Sequence, residues 1–599
     1  MESLAILAQA AAGAANPGVP WHLWDTVILG AFFLGMVVIV LWVLLQKEET
    51  SSDYFLAGKD AGWISIGSSI FASNIGSEHL VGLAGAGFVS GMAMAHWEMH
   101  GWLILVLGWV FVPFYDRIKV FTMPEFLERR FNPSSRSILS IISLVSYVLT
   151  KVAVTVYSGG VVFSTVFGID RVPDSMPVLG GLDMFWVSAI GLVVITGIYT
   201  VLGGMKAVMY TSVLQTPVLL IGSIVILVVG LAKVGGWGEV ERICGANCNL
   251  VRPHSDPNFP WTGVLFASPI IGFWYWCTDQ FIVQRVLSGR NQKEARRGAI
   301  LAGYFKLLPV FIFLVPGMIA FALNSKGLLA MPTTPAGQPD ADKAFSTLVA
   351  QLLPIGFKGV VVCGLLAALM SSLASLFNSS AALFIGDFYK KIVPNASEKH
   401  LVFAGKIATG AVVILGIVWI PVMKGMGNVL YQYLQGVQNL LAPAIASAFL
   451  LGVFWRRTTG AGALAGLVAG FGIGMFRLTL DVMIGGKIKA IKDALDLTAD
   501  QQAAKLAELA QQYGVFYRIE AVNWLHFGAM LFALCIAVMV IVSLLTVPPT
   551  KEQLRFTYAA ATPEQKAATK ASWNVWDVVH SAIVLGVIVA FYVYFWKRF

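Results

Sequence analysis

Charged residues are scarce in this chain of 599 residues, and that scarcity excludes an ordinary soluble protein. Only 12% of the residues are Asp, Glu, Lys or Arg, about half the usual share of a soluble domain, whereas 57% are hydrophobic. Several apolar runs of about 20 residues could each cross a bilayer as a helix, among them 27–45, 182–202 and 401–420. The composition predicts an all-α polytopic protein of the plasma membrane.

Cysteine is also sparse, with 5 residues in the whole chain. Cys244 and Cys248 share a loop that we place outside the membrane, where a disulfide could form. The first residues lack the basic start of a secretory signal peptide. A short N-terminal segment and few cysteines fit a bacterial inner membrane.

The formal net charge of +9 does not indicate a nucleic-acid partner. Lys and Arg are scattered over short loops between apolar segments, as positive-inside sorting produces. Because Lys47 follows the first apolar run, we place the N-terminus outside and Lys47 inside. Following the chain from there gives fourteen helices, with dense basic groups on the inner side at 117–136, 285–297, 390–406 and 456–457.

The order of the apolar segments predicts two related halves. Residues 1–24 are an outer segment and 25–46 an extra helix, followed by five core helices in 62–232 and five in 263–455. Two sets of five helices in opposite orientation are what an inverted-repeat transporter requires.

Three accessory helices are predicted in 459–599. An amphipathic helix at about 487–514 lies in an outer loop between them, and a cytoplasmic linker with helical character occupies about 547–574. Neither segment carries obvious chemistry.

Glycine and polar residues occur in the first helix of each predicted half. The first core helix carries Gly76 between Asn74 and His79, and the sixth carries Gly272 ahead of the aromatic run 273–276. Inverted-repeat transporters bind substrate and ions near the midplane, where such helices are interrupted. Glycine also permits close helix packing, so glycine alone does not decide between the two interpretations.

Two opposite charges, Glu98 and Lys306, lie within otherwise apolar segments. An ionisable side chain at bilayer depth costs about 2.5 kcal/mol or more, so it usually faces a partner or a water-filled cavity. With aromatic and amide neighbours, the two charges predict a pocket for a small polar molecule. Lys306 could instead be a structural counter-ion for Glu98. Lys151 is also within an apolar segment, and we favour a structural or gating role for it.

Seven short motifs follow one another in a fixed order: DYFLAGK (53–59), ASNIGS (72–77), GWVFVP (108–113), TMPE (122–125), WYWCTDQ (274–280), LMSS (369–372) and FWRR (454–457). Each is weak alone, but together they are specific. From about residue 51 to about residue 547 the chain resembles the sodium/solute symporter family, and within it the sodium/glucose cotransporters. The resemblance implies a LeuT-type 5+5 inverted repeat, here with 14 transmembrane helices.

The resemblance also implies a sodium ion between the first and eighth core helices. Carbonyls of Ala72, Ile75 and Ala368 and hydroxyls of Ser371 and Ser372 would bind it. A hard monovalent cation suits neutral oxygen dipoles, which an unwound helix provides. Without the family, a serine pair in a membrane helix is more often a packing or back-bonding feature.

Some relatives bind a second sodium near an Asp on the fifth core helix. This chain has Ser212 in that region and Ala374 after the serine pair, so the carboxylate is missing. We therefore expect one sodium per sugar.

The sugar site carries over residue by residue to Asn74, His79, Glu98, Tyr275, Trp276, Lys306 and Gln435. Leu80, Trp97 and Tyr431 are candidates for the outer closure, and Tyr275 for the inner one. Tyr275 and Trp276 could instead be packing aromatics, and His79 a core residue. Gly272, Gln432 and Gln438 depart from the pattern of the sugar transporters and could alter solute preference.

We predict sodium-coupled symport of a hexose, glucose or galactose, into the cell by alternating access, and no enzymatic activity. Sodium is the coupling ion; the partners are a sugar and the bilayer, without nucleic acid, and we expect a functional monomer. Two alternatives remain open: another solute of the family, such as myo-inositol, sialic acid, proline or a nucleoside, and a sodium-gated sugar sensor.

Overall fold

The computed structural model shows a chain organised into helices. It describes the backbone at residues 22–46, 50–76, 78–167, 171–172, 174, 180–334, 337–354, 356–424, 430–494 and 497–596. Within those ranges, ten helices are long and apolar enough to cross a membrane. They are Leu23–Leu44, Glu78–Ile118, Met184–Val234, Gln292–Ser325, Phe357–Ile392, Glu398–Val418, Leu434–Phe454, Gly460–Lys492, Trp524–Leu545 and Val575–Phe595.

The ten spans do not settle the predicted number of fourteen, for two structural reasons. Interrupted helices divide into pieces such as Trp63–Asn74, of 12 residues, and Trp261–Phe273, of 13 residues. Each piece is shorter than the roughly 20 residues that a single span needs. In contrast, Met184–Val234 runs for 51 residues through a non-helical joint at Gly204, with φ 50° and ψ −147°. That helix is long enough for two spans, and the number of fourteen stays a prediction.

The first interrupted helix comprises Trp63–Asn74 and Glu78–Leu83. The backbone leaves the helical region at Ile75, where φ is −81° and ψ is 106°. A Cβ atom on Gly76 would lie 2.5 Å from Oγ of Ser372, so a larger residue would displace that serine. The structure thus has an interruption where the sequence suggested one.

The second interrupted helix comprises Trp261–Phe273, Trp274–Thr278 and Gln280–Leu287. It breaks at Asp279, where φ is −77° and ψ is 126°. The Asp279 side chain accepts a hydrogen bond from the backbone N–H of the second residue that follows, so it caps the last piece.

Gly272 begins the segment in which the sequence suggested this second interruption, but it lies inside a regular helix. A Cβ atom there would come within 2.5 Å of Leu103 and 2.7 Å of His100. The glycine is needed for close helix packing, which is the alternative that the sequence had left open.

One long helix, Phe357–Phe384, is buried along most of its length and is called here the serine helix. Its N-terminus is capped from another element: the N–H of Gly359 donates to Oδ1 of Asp25 at 2.6 Å. Asp25 belongs to the first described helix, Leu23–Leu44. A carboxylate at a helix N-terminus is favourable because unpaired N–H groups and the helix dipole face it. The first described helix therefore holds one end of the serine helix.

A second carboxylate holds the other end, where the chain continues as Ile385–Tyr389. Asp387 is fully buried and accepts hydrogen bonds from Thr122 at 2.9 Å, Ser140 at 2.6 Å and Arg136 at 2.8 Å. The serine helix is thus fixed at both ends by buried acids.

Three long helices follow the core: Gly460–Leu480, Trp524–Leu545 and Val575–Phe595. The segment predicted as one amphipathic helix at 487–514 forms two helices, Gly486–Asp493 and Ala499–Tyr513. The predicted linker holds two short helices, Lys551–Leu554 and Pro563–Ala571.

Cys244 and Cys248 are buried thiols that are not joined to each other, so the disulfide that the sequence left open is not formed here. Cys244 ends the helix Trp237–Cys244, and Cys248 ends the following turn. A hydrogen bond with Cys248, together with burial, raises the pKa of the Cys244 thiol well above its ordinary value.

Candidate functional site

A buried ion pair joins the two charges that the sequence singled out. Nζ of Lys306 lies 2.5 Å from Oε2 of Glu98, and both side chains are almost completely buried. Lys306 caps the helix Gln292–Phe305, and Glu98 ends the short helix Ala95–Glu98. Loss of either partner would leave the other charge buried and uncompensated, so the pair ties these helix ends together.

His79 brings the first interrupted helix to this pair. Its Nε2 atom lies 3.4 Å from Oε2 of Glu98 and 3.4 Å from Nδ2 of Asn74. Asn74 and His79 flank the interruption on opposite sides, and both therefore reach the polar centre. The histidine is part of a polar cluster rather than a lone core residue.

These side chains border a narrow cavity of about 30 Å³. That is room for a water molecule or two, so the lining side chains must move apart to admit a larger solute. Six of the seven residues predicted for the solute line it: Asn74, His79, Tyr275, Trp276, Lys306 and Gln435. The seventh, Glu98, is fully buried and contacts the lining side chains of Lys306 and His79 instead.

The cavity also has lining residues that the sequence did not assign. They are Glu78, His100, Ile271 and Leu434, beside Gly272 and Gln438, which were singled out as departures. The sequence positions of the two polar residues could have indicated a place in the site. Glu78 directly precedes His79, and His100 lies two residues after Glu98.

Two buried polar atoms at the cavity wall fit a ligand that carries hydroxyl groups. Oε1 of Gln435 and Nε1 of Trp97 are buried without a hydrogen-bond partner among the described residues. A buried polar atom without a partner costs about 1–3 kcal/mol. A solute hydroxyl could donate to the glutamine oxygen and accept from the indole N–H.

An aromatic wall borders the same cavity. The rings of Tyr275 and Trp276 meet edge to face, with centroids 4.9 Å apart. Nζ of Lys306 lies 5.3 Å from the Trp276 centroid, within the range of a cation–π contact. Trp276 therefore faces the cavity and also stabilises the buried ammonium.

The predicted closure residues have different surroundings. Trp97 lines the cavity and stacks on Trp524, with centroids 5.8 Å apart and ring planes at 16°. Phe259 meets the Trp97 ring edge to face at 6.2 Å. Leu80 is 1% exposed and packs in the hydrophobic core. The Tyr431 side chain lies outside the described residues.

The residues predicted to bind sodium meet where the serine helix faces the first interruption. Oγ of Ser371 donates to the carbonyl of Ala72 at 2.5 Å and lies 2.9 Å from the carbonyl oxygen of Ala368. Oγ of Ser372 donates to the carbonyl of Ser73 at 2.8 Å. Neutral carbonyl and hydroxyl oxygens at an unwound helix suit a hard monovalent cation, so this donor set fits sodium. We call these residues the sodium cluster.

Ser73 belongs to this cluster although the sequence did not assign it. Its hydroxyl lies 2.7 Å from that of Ser375 and 3.1 Å from Nε of Arg285. Its position next to Ala72 in the same motif was the available signal. Ile75, the remaining predicted ligand, is the residue at which the helix ends.

The region of the second sodium site has no carboxylate at the positions considered. Ser212 is fully buried, and its hydroxyl donates to the carbonyl of Val208 in its own helix at 2.6 Å. Ala374 is fully buried and apolar. A ratio of one sodium per solute stays a prediction.

The second interruption carries a charged cluster. Nζ of Lys151 lies 2.8 Å from Oδ2 of Asp279, and the hydroxyl of Tyr147 donates to the other oxygen of that carboxylate. The rings of Tyr275 and Phe281 each lie 4.6 Å from the ammonium. Lys151 thus compensates the acid that breaks the helix.

Comparison with known proteins bears on this arrangement. A sequence model described as the sodium:solute symporter family matches residues 54–470. The rabbit (Oryctolagus cuniculus) sodium/myo-inositol cotransporter 2 is 35% identical over 560 residues, covering 88% of this chain and 78% of that protein. The human (Homo sapiens) sodium/myo-inositol cotransporter is 35% identical over 572 residues, covering 89% and 75%.

A solved structure shares the fold. The substrate-bound, outward-open structure of a Na⁺-coupled sialic acid symporter superposes with a TM-score of 0.69 at 19% sequence identity. The match covers 88% of this chain and 99% of that one, so it extends over nearly the whole helical bundle.

These findings correct one prediction. The prediction of glucose or galactose as the solute is wrong, because the similar relatives are named for myo-inositol. A cyclitol and a pyranose both present a ring of hydroxyl groups, so Glu98, Lys306 and Gln435 could not distinguish them. Sodium as the coupling ion is confirmed, and the protein is an integral membrane transporter. The chain belongs to the sodium:solute symporter family.

Proposed function

We propose that this protein couples the entry of sodium to the uptake of myo-inositol or a closely related polyol. The buried Glu98–Lys306 pair beside a cavity of amide and aromatic side chains carries this proposal. A polyol has hydroxyl groups that donate and accept hydrogen bonds. Lys306 can only donate, whereas Asn74 and Gln435 can do both, so together they can serve such a ring.

The charges near the cavity favour a neutral solute over an acidic one. Glu78 lines the cavity, and Glu98 lies directly behind the lining residues. A solute carboxylate would face the Glu78 charge, and the Lys306 ammonium on that wall is already paired with Glu98. This supports a polyol over sialic acid or an amino acid among the alternatives.

Sodium and solute would act on the same short segment of backbone. The sodium cluster uses the carbonyls of Ala72 and Ser73, and the next residue, Asn74, lines the solute cavity. Sodium bound there would favour one arrangement of the first interrupted helix against the serine helix. A solute that prefers the same arrangement then binds more tightly, and by linkage sodium gains equally. One positive charge that crosses 100 mV supplies about 2.3 kcal/mol.

We also propose the LeuT-type architecture of two five-helix halves, 62–232 and 263–455, within a bundle of fourteen membrane helices. The interruptions at Ile75 and Asp279 fall in the first helix of each proposed half, which supports it. The distribution of basic residues supports an N-terminus outside. A bacterial inner membrane and a functional monomer stay predictions.

Uptake into proteoliposomes tests the function. Radiolabelled myo-inositol would be offered with an inward sodium gradient, and with potassium in place of sodium. We expect labelled myo-inositol to accumulate above its outside concentration only when the gradient is of sodium. Unlabelled myo-inositol should compete with this uptake, whereas sialic acid should not. Sodium-dependent binding or current without accumulation would support a sensor and contradict transport. Accumulation of sialic acid instead would contradict the polyol.

A second experiment separates a solute contact from a structural role of Lys306. The double variant Glu98→Gln with Lys306→Met removes both charges, so neither is left stranded in the membrane. If the pair is structural only, this variant should fold and bind myo-inositol as the unmodified protein does. We expect it to fold and to lose binding, because the lost donor faces the cavity.

A further inference from the structure

Glu78 is an acidic residue in the lining of the solute cavity, where its charge favours a neutral solute. It begins the second piece of the first interrupted helix, immediately beyond the interruption. Its side chain is half-buried and lines the cavity together with Tyr275 and Lys306. It lies close enough to both to interact with them electrostatically.

The same carboxylate also lies beside the sodium cluster. A Cβ atom on Gly76 would be 2.9 Å from Oε2 of Glu78 and 2.5 Å from Oγ of Ser372. The two oxygen atoms are therefore no farther apart than the sum of these distances. Because Gly76 has no side chain, no side-chain atom of that residue lies between the carboxylate and the serine hydroxyl. A sodium ion held at Ser372 would have Glu78 as a near neighbour of opposite charge.

We propose that Glu78 links the sodium cluster to the solute cavity and is a positioning residue for coupled binding. The inference rests on the proposed function and deepens it. Without sodium, the Glu78 carboxylate faces the cavity, where Lys306 is already paired with Glu98. Sodium compensates the Glu78 charge, and the carboxylate is held in the place from which it can accept from a solute hydroxyl. Each ligand then tightens the other through one side chain.

The isosteric variant Glu78→Gln tests this by removing the charge at nearly constant shape. Sodium binding would be measured with ²²Na⁺ on purified full-length protein, and myo-inositol binding at several sodium concentrations. We expect half-saturating sodium to rise about tenfold, which corresponds to about 1.4 kcal/mol. The factor by which sodium tightens myo-inositol binding should fall towards one, while affinity without sodium changes little.

Two controls make the result specific. Glu508→Gln removes the same charge from the exposed helix Ala499–Tyr513 and should leave every value unchanged. Glu78→Asp keeps the charge and should retain part of the coupling, which tests the inference even if the glutamine variant is unstable. Unchanged sodium affinity and unchanged coupling in Glu78→Gln would overturn the proposal.

The outcomes also separate this inference from the proposed function. If sodium does not tighten myo-inositol binding in the unmodified protein, the proposed function fails. The ²²Na⁺ measurement still tests the role of Glu78, because half-saturating sodium can be compared between Glu78→Gln and the unmodified protein without any solute. If solute affinity falls equally at all sodium concentrations while sodium binding is unchanged, Glu78 is a solute contact only, and the link is refuted.

Discussion

The two interrupted helices meet the same structural problem with different chemistry. An interrupted helix at bilayer depth leaves backbone groups that must be paired or must border a polar cavity. At the first interruption the carbonyl of Ala72 and the hydroxyls of Ser371 and Ser372 come together, and the Glu78 carboxylate lies beside them. At the second, the carboxylate of Asp279 is compensated by the ammonium of Lys151.

The difference shows what an interruption needs in order to bind a diffusible ion. At the second interruption the cation is the ammonium group of Lys151, which is part of the protein. It pairs with Asp279 and is surrounded by aromatic rings. At the first interruption, the carbonyl and hydroxyl oxygens can coordinate an ion that enters from solution. Arg285 approaches this cluster at the hydroxyl of Ser73 rather than at its carbonyls.

The strongest test of this comparison is Lys151→Met. It leaves Asp279 buried without its cation, and we expect the free energy of unfolding to fall by about 3–5 kcal/mol. Sodium should still raise the melting temperature by as much as in the unmodified protein, because the sodium cluster is intact. Thermal unfolding in detergent, with and without sodium, measures both effects. Lys151→Met with Asp279→Asn should recover most of the loss, and an equal loss in both variants would contradict the charge argument.

Glu98→Gln should have the next largest effect, on solute binding. It removes the acid that holds Lys306 and His79 at the cavity and leaves the ammonium buried without its anion. We therefore expect a loss of stability, and affinity for myo-inositol should fall at least about a hundredfold, or about 2.7 kcal/mol. Half-saturating sodium without solute should stay within about twofold. Equilibrium binding of labelled myo-inositol and ²²Na⁺ measures the two values. A parallel loss of both would mean that the cavity and the sodium cluster cannot be separated.

Ser371→Ala should act on the first interruption alone. Loss of a hydroxyl that meets two carbonyls removes about 1 kcal/mol of hydrogen bonding, so half-saturating sodium should rise roughly five- to tenfold. The matched control is Ser447→Ala, a buried serine whose hydroxyl contacts the carbonyl of Ala444 in its own helix. The sodium dependence of uptake measures both variants. If half-saturating sodium rose equally in both variants, Ser371 would not be a specific sodium ligand.

Asp25→Asn should have the smallest effect of the four. The amide oxygen can still accept from Gly359, but the charge at the N-terminus of the serine helix is lost, at about 0.3–1 kcal/mol. The melting temperature should fall slightly, with little change in sodium affinity. Asp500→Asn, in the first turn of an exposed helix, is the control and should change less. A larger fall for the control would show that the anchor contributes nothing.

Much of the cavity lining could be predicted, because its polar residues occur in short motifs around the interruptions. Asn74 and His79 flank one interruption, and Tyr275 and Trp276 precede the other. Their types alone indicate a polar, aromatic pocket. The sequence analysis did not assign Glu78, although its position next to the interruption and directly before His79 was equally informative.

Other features depend on packing that the sequence does not reveal. The second interruption lies at Asp279 rather than Gly272, because the glycine is needed against His100 and Leu103. In a sequence, a glycine that interrupts a helix cannot be distinguished from a glycine that allows a neighbouring helix to pack closely. The solute was mistaken for a different physical reason: donors and acceptors for a ring of hydroxyls do not specify whether the ring contains an oxygen.

The stacking of Trp97 on Trp524 has a consequence for experiments that exchange segments between relatives. Trp97 lies within the segment matched by the family model, 54–470, whereas Trp524 lies beyond it. His96 likewise meets the hydroxyl of Tyr592 at 2.9 Å. One side of the cavity is therefore supported by Trp524, on a C-terminal helix beyond the segment that the family model matches. A chimaera joined near residue 470 would combine the binding residues of one protein with the supporting aromatic rings of another. Its solute selectivity would then depend on both parent proteins.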